Sequence, residues 1–261
     1  MPGRFARRRE LTVRKDTLRG DVIVSGSVIA GDSVTLEVTH RDPDLAYLAA
    51  FAEALRDRGI SVDSTSTVSA DTMAVAGDTV VAVSSKPLRE ILPALLKPSQ
   101  NQIAEVLLRT IGLERGGAGT ADSGRKVVER QLAAWGAPPS TYVIRDGSGL
   151  SRYDYLAPEA IVHVLDAMRK SPNFQLFYDA LPIAGVDGTI KTRMRGTPAE
   201  NNVHAKTGSV ANARSLSGYV RTADRHPLIF SILSNNWTVP ANDVTRVQDA
   251  IAARLAALQL R

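Results

Sequence analysis

The sequence predicts a mixed α/β fold of the α+β type, in which helices and strands occupy separate stretches of the chain. Apolar residues recur at helical spacing between residues 44 and 58, which predicts an amphipathic helix. Two β-rich runs, 216–220 and 228–233, flank a short polar turn and predict an antiparallel hairpin. A closing stretch, 244–258, has an apolar stripe that predicts a helix with Asn242 as its N-cap.

Composition excludes several classes of protein. The 261 residues, 44% apolar and 23% charged, suffice for one large domain or two small ones. The net charge of +5 favours an anionic partner, such as a cell-wall polymer or a nucleic acid. Cysteine is absent, which excludes disulfides and thiolate-bound metals. No run approaches the roughly 18 consecutive apolar residues of a membrane span, so we expect none.

The first third of the chain is predicted to be a domain of its own, residues 1–79. Its basic start is not followed by an apolar run, so we do not expect a signal peptide there. Strands are predicted at 22–24 and 34–38, around a glycine-rich turn. The amphipathic helix that opens at Asp44 should end at Gly59.

The second predicted domain, residues 80–261, begins with a short buried strand at 80–83. A helix should begin at Ser99 and end at Gly112. Two further helices are predicted, one over 124–135 and one over Pro158–Arg169, because apolar residues recur along one face of each. The hairpin and closing helix complete this domain.

Two short motifs carry most of the chemical information, S-x-N at residues 99–101 and K-T-G at 206–208. Together they are two of the three elements found in penicillin-binding proteins and serine β-lactamases; the third, S-x-x-K, holds the nucleophile. Each motif alone also has a purely structural explanation. Ser99 and Gln102 fit a capping box at a helix start, and Lys206 fits a solvated strand lysine.

The K-T-G motif lies on what should be an edge strand. Gly208 has no side chain there, so an extended peptide can approach closely and add as a further strand. Lys206 supplies a cation, and the Thr207 and Ser209 hydroxyls supply short donors. This combination suits a terminal carboxylate. His204 is expected on the same face as Lys206, either lining the cleft or on the strand surface.

The chain resembles the C-terminal half of the D-alanyl-D-alanine carboxypeptidase/endopeptidases of the peptidase S13 family, the low-molecular-mass class C penicillin-binding proteins. The resemblance implies a transpeptidase/β-lactamase-like antiparallel sheet flanked by helices, incomplete on its N-terminal side. Residues 1–79 would then be the remnant of an inserted accessory domain. Four blocks in the family's order carry the resemblance: residues 97–110, 145–152, 181–189 and 204–209.

The resemblance also implies roles in acyl transfer. Ser99 would relay a proton to the departing amine, and Asn101 would orient the basic lysine of S-x-x-K and hold a substrate amide. Lys206 would keep the site electropositive.

On the binding side, Thr207 and Ser209 would hold the substrate carboxylate beside Gly208. The Ser209 backbone N–H would serve as one oxyanion donor.

The family's nucleophile is missing where the resemblance requires it, because no S-x-x-K precedes Ser99. The S-x-x-K at 123–126 lies beyond the S-x-N block, where Ser123 and Asp122 are instead candidates for a helix N-cap. We expect the chain to be a fragment of a serine D-Ala-D-Ala carboxypeptidase. The alternatives are a non-catalytic peptide-binding pseudoenzyme and, less favoured by the blocks, a β-lactamase of the same fold.

The expected partners follow from the resemblance. They are peptidoglycan stem peptides ending in D-Ala-D-Ala and β-lactam antibiotics, in a periplasmic or extracytoplasmic location. We expect no cofactor, metal or nucleic acid, since the four histidines lack ligand spacing and no phosphate-binding glycine motif is present.

Overall fold

The structure is a computed structural model that describes residues 10–16, 21–28, 31, 33–35, 42–65 and 84–260. The chain divides into two compact units, Met1–Ala82 and Val83–Arg261. The strand predicted at 80–83 lies outside the described residues. That residues 1–79 are an accessory-domain remnant stays a prediction.

The first unit contains a hairpin and a helix. Strand β1 (Glu10–Lys15) pairs antiparallel with β2 (Val22–Ser27), which confirms the strand predicted at 22–24. Helix α1 (Pro43–Arg56) ends in a turn closed by Gly59, whose φ of +78° suits glycine. The strand predicted at 34–38 is wrong for its two described residues, which pair with neither β1 nor β2. Its remainder lies outside the described residues.

The second unit holds the elements that position the site. Its helices are α2 (Leu88–Leu96), α3 (Asn101–Gly116), α4 (Ala121–Ala134), α5 (Pro158–Arg169), α6 (Phe174–Ala180) and α7 (Ala241–Ala256). Its strands are β3 (Tyr142–Val143), β4 (Tyr155–Leu156), β5 (His204–Val210), β6 (Ala213–Arg221) and β7 (Pro227–Asn235). The prediction of α5 is confirmed at both ends.

The three longest strands form one antiparallel sheet in the order β5-β6-β7. Strand alternation places Leu216, Val220 and Phe230 in a core shared with α7. The opposite face carries Tyr219, which packs with Leu165 of α5. The sheet is therefore covered by helices on both faces. The predicted hairpin and the antiparallel sheet flanked by helices are confirmed.

The helix predicted from Ser99 begins two residues later. Ser99 has a φ of 63°, in the left-handed region, so it cannot be the extended N-cap of a helix. Gln100 occupies the N-cap position and makes no side-chain cap, so the predicted capping box is wrong. The predicted stop at Gly112 is also wrong. Gly112 lies inside α3, which ends before left-handed Gly117.

Two other helix starts differ from prediction. Thr120 caps α4 by accepting from the backbone N–H of Ser123 at 3.2 Å, so Ser123 is the donor rather than the cap. Helix α7 begins at Ala241, which puts Asn242 inside the first turn instead of at the N-cap. Helix α2 was not predicted, because Pro93 within it interrupts the helical sequence pattern.

Candidate functional site

Lys206 and Ser99 form the centre of the candidate site. The Lys206 Nζ donates to the Ser99 Oγ at 2.7 Å and to the Thr207 carbonyl at 2.6 Å. Lys206 projects from the edge strand β5, and Ser99 lies in the turn between α2 and α3. The left-handed backbone of Ser99 leaves its hydroxyl to accept from Lys206 rather than to cap α3. The structure thus joins the two predicted motifs through one hydrogen bond.

The Lys206 ammonium is partly shielded from solvent, and burial lowers its pKa from 10.5 to about 8. The charged form therefore predominates at neutral pH and still suits an anionic ligand.

Asn101 is close in sequence to Ser99 but is not joined to the pair. It is the first residue of α3, and its side chain is exposed. Within the described part of the chain, that side chain makes no hydrogen bond to either Ser99 or Lys206. Its role in holding a substrate amide stays a prediction.

The outer edge of β5 is covered at one end and open at the other. The Ala205 N–H donates to the Pro182 carbonyl at 3.0 Å, and Ile183 forms an isolated bridge to His204. Beyond Lys206, Gly208 and Ser209 are exposed, and no described strand pairs with their outer side. This stretch can accept an added peptide strand.

Gly208 lies against its cross-strand partner on β6, Ser215. A Cβ at Gly208 would lie 2.5 Å from the Ser215 Oγ, which would have to rotate away, and 3.7 Å from the Ser215 Cβ. The sequence analysis explained this glycine by the close approach of a peptide. The structure adds that a side chain here would displace the Ser215 hydroxyl.

The two predicted carboxylate-binding hydroxyls have partners that the sequence did not reveal. Thr207 donates its hydroxyl to the Thr189 Oγ1 at 2.8 Å. Ser209 Oγ accepts from the Arg214 guanidinium at 2.7 Å. Arg214 belongs to β6 and was missed because a lone arginine in a strand run gives no motif signal. Thr189 is the last residue of the block 181–189, and membership of that block was the only sequence feature that pointed to it.

His204 shares a face with Lys206 but is held elsewhere. Its ring stacks on Tyr178, with 3.9 Å between centroids, and its Nδ1 lies 3.2 Å from the Tyr178 carbonyl oxygen. Burial lowers the pKa of His204, so the ring is neutral at pH 7. His204 therefore belongs to the packing between β5 and α6.

The glycine-rich block around 146–152 is a tight turn. Asp146 accepts from the backbone N–H groups of Gly149 and Ser151, at 2.6 and 2.8 Å. Glu105 of α3 accepts from the N–H groups of Gly147 and Ser148, both at 3.0 Å. Partial burial opposes ionisation of Glu105, yet these hydrogen bonds lower its pKa overall. The turn is thereby fixed to the helix that follows Ser99.

A groove of about 1130 Å³ runs between α3, this turn and the β5–β6 hairpin. Leu107 and Leu150 line its apolar part, and Ser209 and Arg214 line the end beside the open edge of β5. An extended ligand on β5 would therefore have an apolar floor and a cationic end.

The second S-x-x-K sequence, at 123–126, is a structural element. Ser123 is buried, and its hydroxyl donates to the Gly112 carbonyl at 3.3 Å. Lys126 pairs with Asp122 at the surface, 2.7 Å apart. Ser123 thus ties α4 to α3 and takes no part in the Lys206 site.

Two observations concern the described residues alone. Among them, no three His, Asp or Glu side chains are grouped so that they could hold a metal ion. None of the helices in the described ranges has the length and apolar character needed to cross a bilayer.

The antiparallel sheet, its helical cover and the Lys206–Ser99 pair define a penicillin-binding, transpeptidase-like class of fold. The sequence profile of the D-Ala-D-Ala carboxypeptidase 3 (S13) family matches residues 7–258. The chain belongs to that family.

Individual relatives agree with this assignment. The D-alanyl-D-alanine carboxypeptidase of Actinomadura sp. (strain R39) is 38% identical over 245 residues, 90% of this chain and 44% of the relative. The penicillin-sensitive carboxypeptidase A of Dictyostelium discoideum is 29% identical over 239 residues, 87% of this chain and 45% of the relative.

The solved structure of penicillin-binding protein 4 from Haemophilus influenzae, in complex with a β-lactam, superposes with a TM-score of 0.77 at 25% identity. The match covers 96% of this chain and 60% of that one. The chain spans somewhat less than half the length of the Actinomadura and Dictyostelium relatives.

Proposed function

We propose that the chain forms the peptide-binding strand and the proton-relay pair of a serine-type D-Ala-D-Ala carboxypeptidase. One observation carries the proposal: the Lys206 Nζ lies 2.7 Å from the Ser99 Oγ, beside the open edge of β5. Membership of the S13 family and the named activities of the relatives support it. The substrate is a peptidoglycan stem peptide that ends in D-Ala-D-Ala.

Binding follows from the open edge of β5. The substrate backbone adds as a strand along Thr207, Gly208 and Ser209, where main-chain hydrogen bonds give affinity. Its terminal carboxylate is held by the Ser209 hydroxyl, which Arg214 contacts, and by the Thr207 hydroxyl, which turns its proton from Thr189 to the ligand on binding. The charged Lys206 makes the site attractive to this anion.

The chemistry requires a serine nucleophile, which in this family belongs to S-x-x-K. Its oxygen attacks the carbonyl carbon between the two D-alanines, and the C–N bond to the last D-alanine breaks. The lysine of S-x-x-K takes the proton of the attacking serine, and that proton passes to the leaving amine through Ser99, beside Lys206. The Ser209 N–H stabilises the oxyanion. Water then hydrolyses the serine ester and regenerates the nucleophile. Asn101 holds the substrate amide.

A second function, non-catalytic binding of the same peptides, is favoured by one specific observation. The Lys206–Ser99 pair, the open edge of β5 and Arg214 form a binding surface for a peptide carboxylate, and none of them needs to form a covalent bond to it. In that case the chain binds stem peptides reversibly and does not form an ester.

β-Lactams are ligands in either case, since they carry a carboxylate beside a reactive amide analogue. A location at the cell wall or in the periplasm agrees with a substrate of this kind.

Calorimetric titration with diacetyl-L-Lys-D-Ala-D-Ala tests the shared binding step. We expect saturable binding that K206M abolishes and that K170M leaves unchanged, because Lys170 is a surface residue paired with Asp166. Equal affinity for the L-Ala-L-Ala peptide, or no binding, would refute the proposed function.

Labelling of the full-length protein with fluorescent penicillin separates the two functions. A covalent adduct that survives denaturation supports the carboxypeptidase, whereas competition with the peptide and no adduct supports the binding protein.

A further inference from the structure

The segment of residues 181–190, here called the connecting segment, contacts both halves of the candidate site. At one end it meets Lys97, two residues before Ser99. The Lys97 Nζ donates to the Asp187 Oδ2 at 2.7 Å and to the Leu181 carbonyl at 2.8 Å. The S-x-N turn is thereby tied to a segment about 90 residues further along the chain.

The connecting segment is also tied to the K-T-G strand. Ala205 directly precedes Lys206, and its N–H donates to the Pro182 carbonyl at 3.0 Å. Thr207 directly follows Lys206, and its hydroxyl donates to Thr189 at 2.8 Å. Its contacts to β5 therefore lie on both sides of Lys206.

The geometry of the connecting segment is fixed from within. Asp187 uses its second oxygen, Oδ1, to accept from the Ile183 N–H at 2.9 Å. Gly188 has a φ of +60°, and a Cβ there would lie 2.8 Å from the Lys97 carbonyl oxygen. Leu181 and Pro182 are almost fully buried. Close packing and two shared carboxylate bonds hold the segment against Lys97.

Ser99 needs such support, because non-glycine residues rarely adopt its left-handed backbone. We propose that Lys97 and Asp187 are positioning residues that hold the Ser99 hydroxyl against the Lys206 ammonium through the connecting segment. Neither residue touches the substrate in this proposal. Their relevance to activity rests on the proposed function, but their effect on Lys206 does not.

Titration of Lys206 by NMR in protein labelled with [ε-13C]lysine tests the proposal, with the Lys206 signal assigned by its loss in K206M. In the native chain we expect a midpoint near pH 8, set by burial. In D187N the Lys97 contact is weakened, so the Ser99 turn can move and water can reach Lys206. Because a solvated ammonium is more stable than a buried one, the midpoint should rise by about half a pH unit or more. Water then replaces the Ser99 hydroxyl as acceptor.

The sign of the shift separates positioning from a direct charge effect. Removing the Asp187 carboxylate would, through charge alone, lower the pKa of a nearby lysine. A fall or no change in D187N would therefore overturn the proposal. K97R, which keeps the charge and the donors, should retain the native midpoint.

Two further variants complete the experiment. D249N removes the carboxylate of the comparable Arg193–Asp249 ion pair, at 2.7 Å, and should leave the Lys206 midpoint unchanged. G188A alters no charge but displaces the Lys97 carbonyl, so it should raise the midpoint as D187N does. If D187N loses its cooperative thermal transition, G188A decides the outcome.

Peptide titration of the same variants gives an independent readout. D187N should bind diacetyl-L-Lys-D-Ala-D-Ala about tenfold more weakly, because a displaced site residue leaves polar groups unpaired. If the native chain binds no peptide, the proposed function fails while the NMR result still stands.

Discussion

The Lys206 ammonium and the Ser99 hydroxyl lie 2.7 Å apart, although 107 residues separate them in sequence. The bond joins an edge strand to a turn that leads into a helix, so each group is held by a different element of the second unit. Because the ammonium is also partly buried, its protonation depends on this local packing. The pH behaviour of the site is therefore the first property to measure.

Peptide affinity should depend on the charge of Lys206. The pKa of this lysine is lowered to about 8 by burial, so the cation is present below pH 8 and lost above it. We expect the affinity for diacetyl-L-Lys-D-Ala-D-Ala to be constant from pH 6 to 7 and to fall through a midpoint near pH 8, measured by calorimetry. K206R stays charged throughout and should bind with a flat profile. A flat profile for the native chain would contradict this assignment.

The same lysine should affect stability with the opposite trend. Between about pH 8 and 10.5 the unfolded state keeps a proton on Lys206 that the folded state has released. The contribution of this group to the free energy of unfolding therefore rises with pH across that window. We expect the native chain to gain stability relative to K206M from pH 7.5 to 10.5 in urea unfolding. A constant difference between the two proteins would show that the pKa of Lys206 is not lowered by folding.

Thr189 should contribute to peptide binding through the Thr207 hydroxyl. T189V keeps the shape of the side chain but removes the acceptor 2.8 Å from the Thr207 Oγ1. In the complex the Thr207 proton goes to the carboxylate, and the Thr189 hydroxyl donates to Thr207 in turn. Loss of that neutral hydrogen bond, about 0.5–1.5 kcal/mol, should weaken peptide binding roughly 2- to 12-fold in calorimetry. T189S retains the hydroxyl and should bind as the native chain does. Equal binding by T189V would remove Thr189 from the site.

Arg214 should act on the terminal carboxylate of the ligand. Its guanidinium donates to Ser209, and its Nε is buried with no hydrogen-bond partner among the described residues. We expect R214M to bind the peptide acid roughly 10- to 100-fold more weakly, the usual value of a hydrogen bond to a charged group. The C-terminal amide of the same peptide should bind R214M and the native chain alike. A parallel loss for the amide would indicate that Arg214 acts on the fold rather than on the carboxylate.

Local sequence patterns predicted those helices and strands that are determined by residues close together in the sequence. The apolar spacing of Pro158–Arg169 gave α5 at both ends, and two β-rich runs gave the β6–β7 hairpin. The motifs also predicted that Ser99 and Lys206 act together, because their residue types recur in one family.

Contacts distant in sequence explain what could not be predicted. Lys97, two residues before the left-handed Ser99, is bound by Asp187, 90 residues further along the chain, and no local pattern encodes that contact. Helix α3 begins later than predicted because Ser99 itself has a left-handed backbone. Thr189 and Arg214 were missed because they act through partners on other segments.

Gly112 shows that a glycine read as a helix end can instead be a packing site. A Cβ at this position would lie 2.7 Å from the Gly124 nitrogen and 2.7 Å from the Ala118 carbonyl oxygen, both backbone atoms. Helices α3 and α4 therefore approach too closely for any side chain. G112A should reduce the free energy of unfolding by about 1–3 kcal/mol, the usual cost of overpacking, despite the better helix propensity of alanine.

Urea unfolding measured in parallel on G119A provides the control for this prediction. At Gly119 the nearest atom to an added Cβ is the Leu113 Cβ at 3.9 Å, an ordinary contact. We expect G119A to change stability by no more than about 0.5 kcal/mol, as surface substitutions do. If G112A were as stable as the native chain, α3 and α4 would have to separate at little cost. The position of the Ser99 turn at the start of α3 would then be less firmly held than the structure indicates.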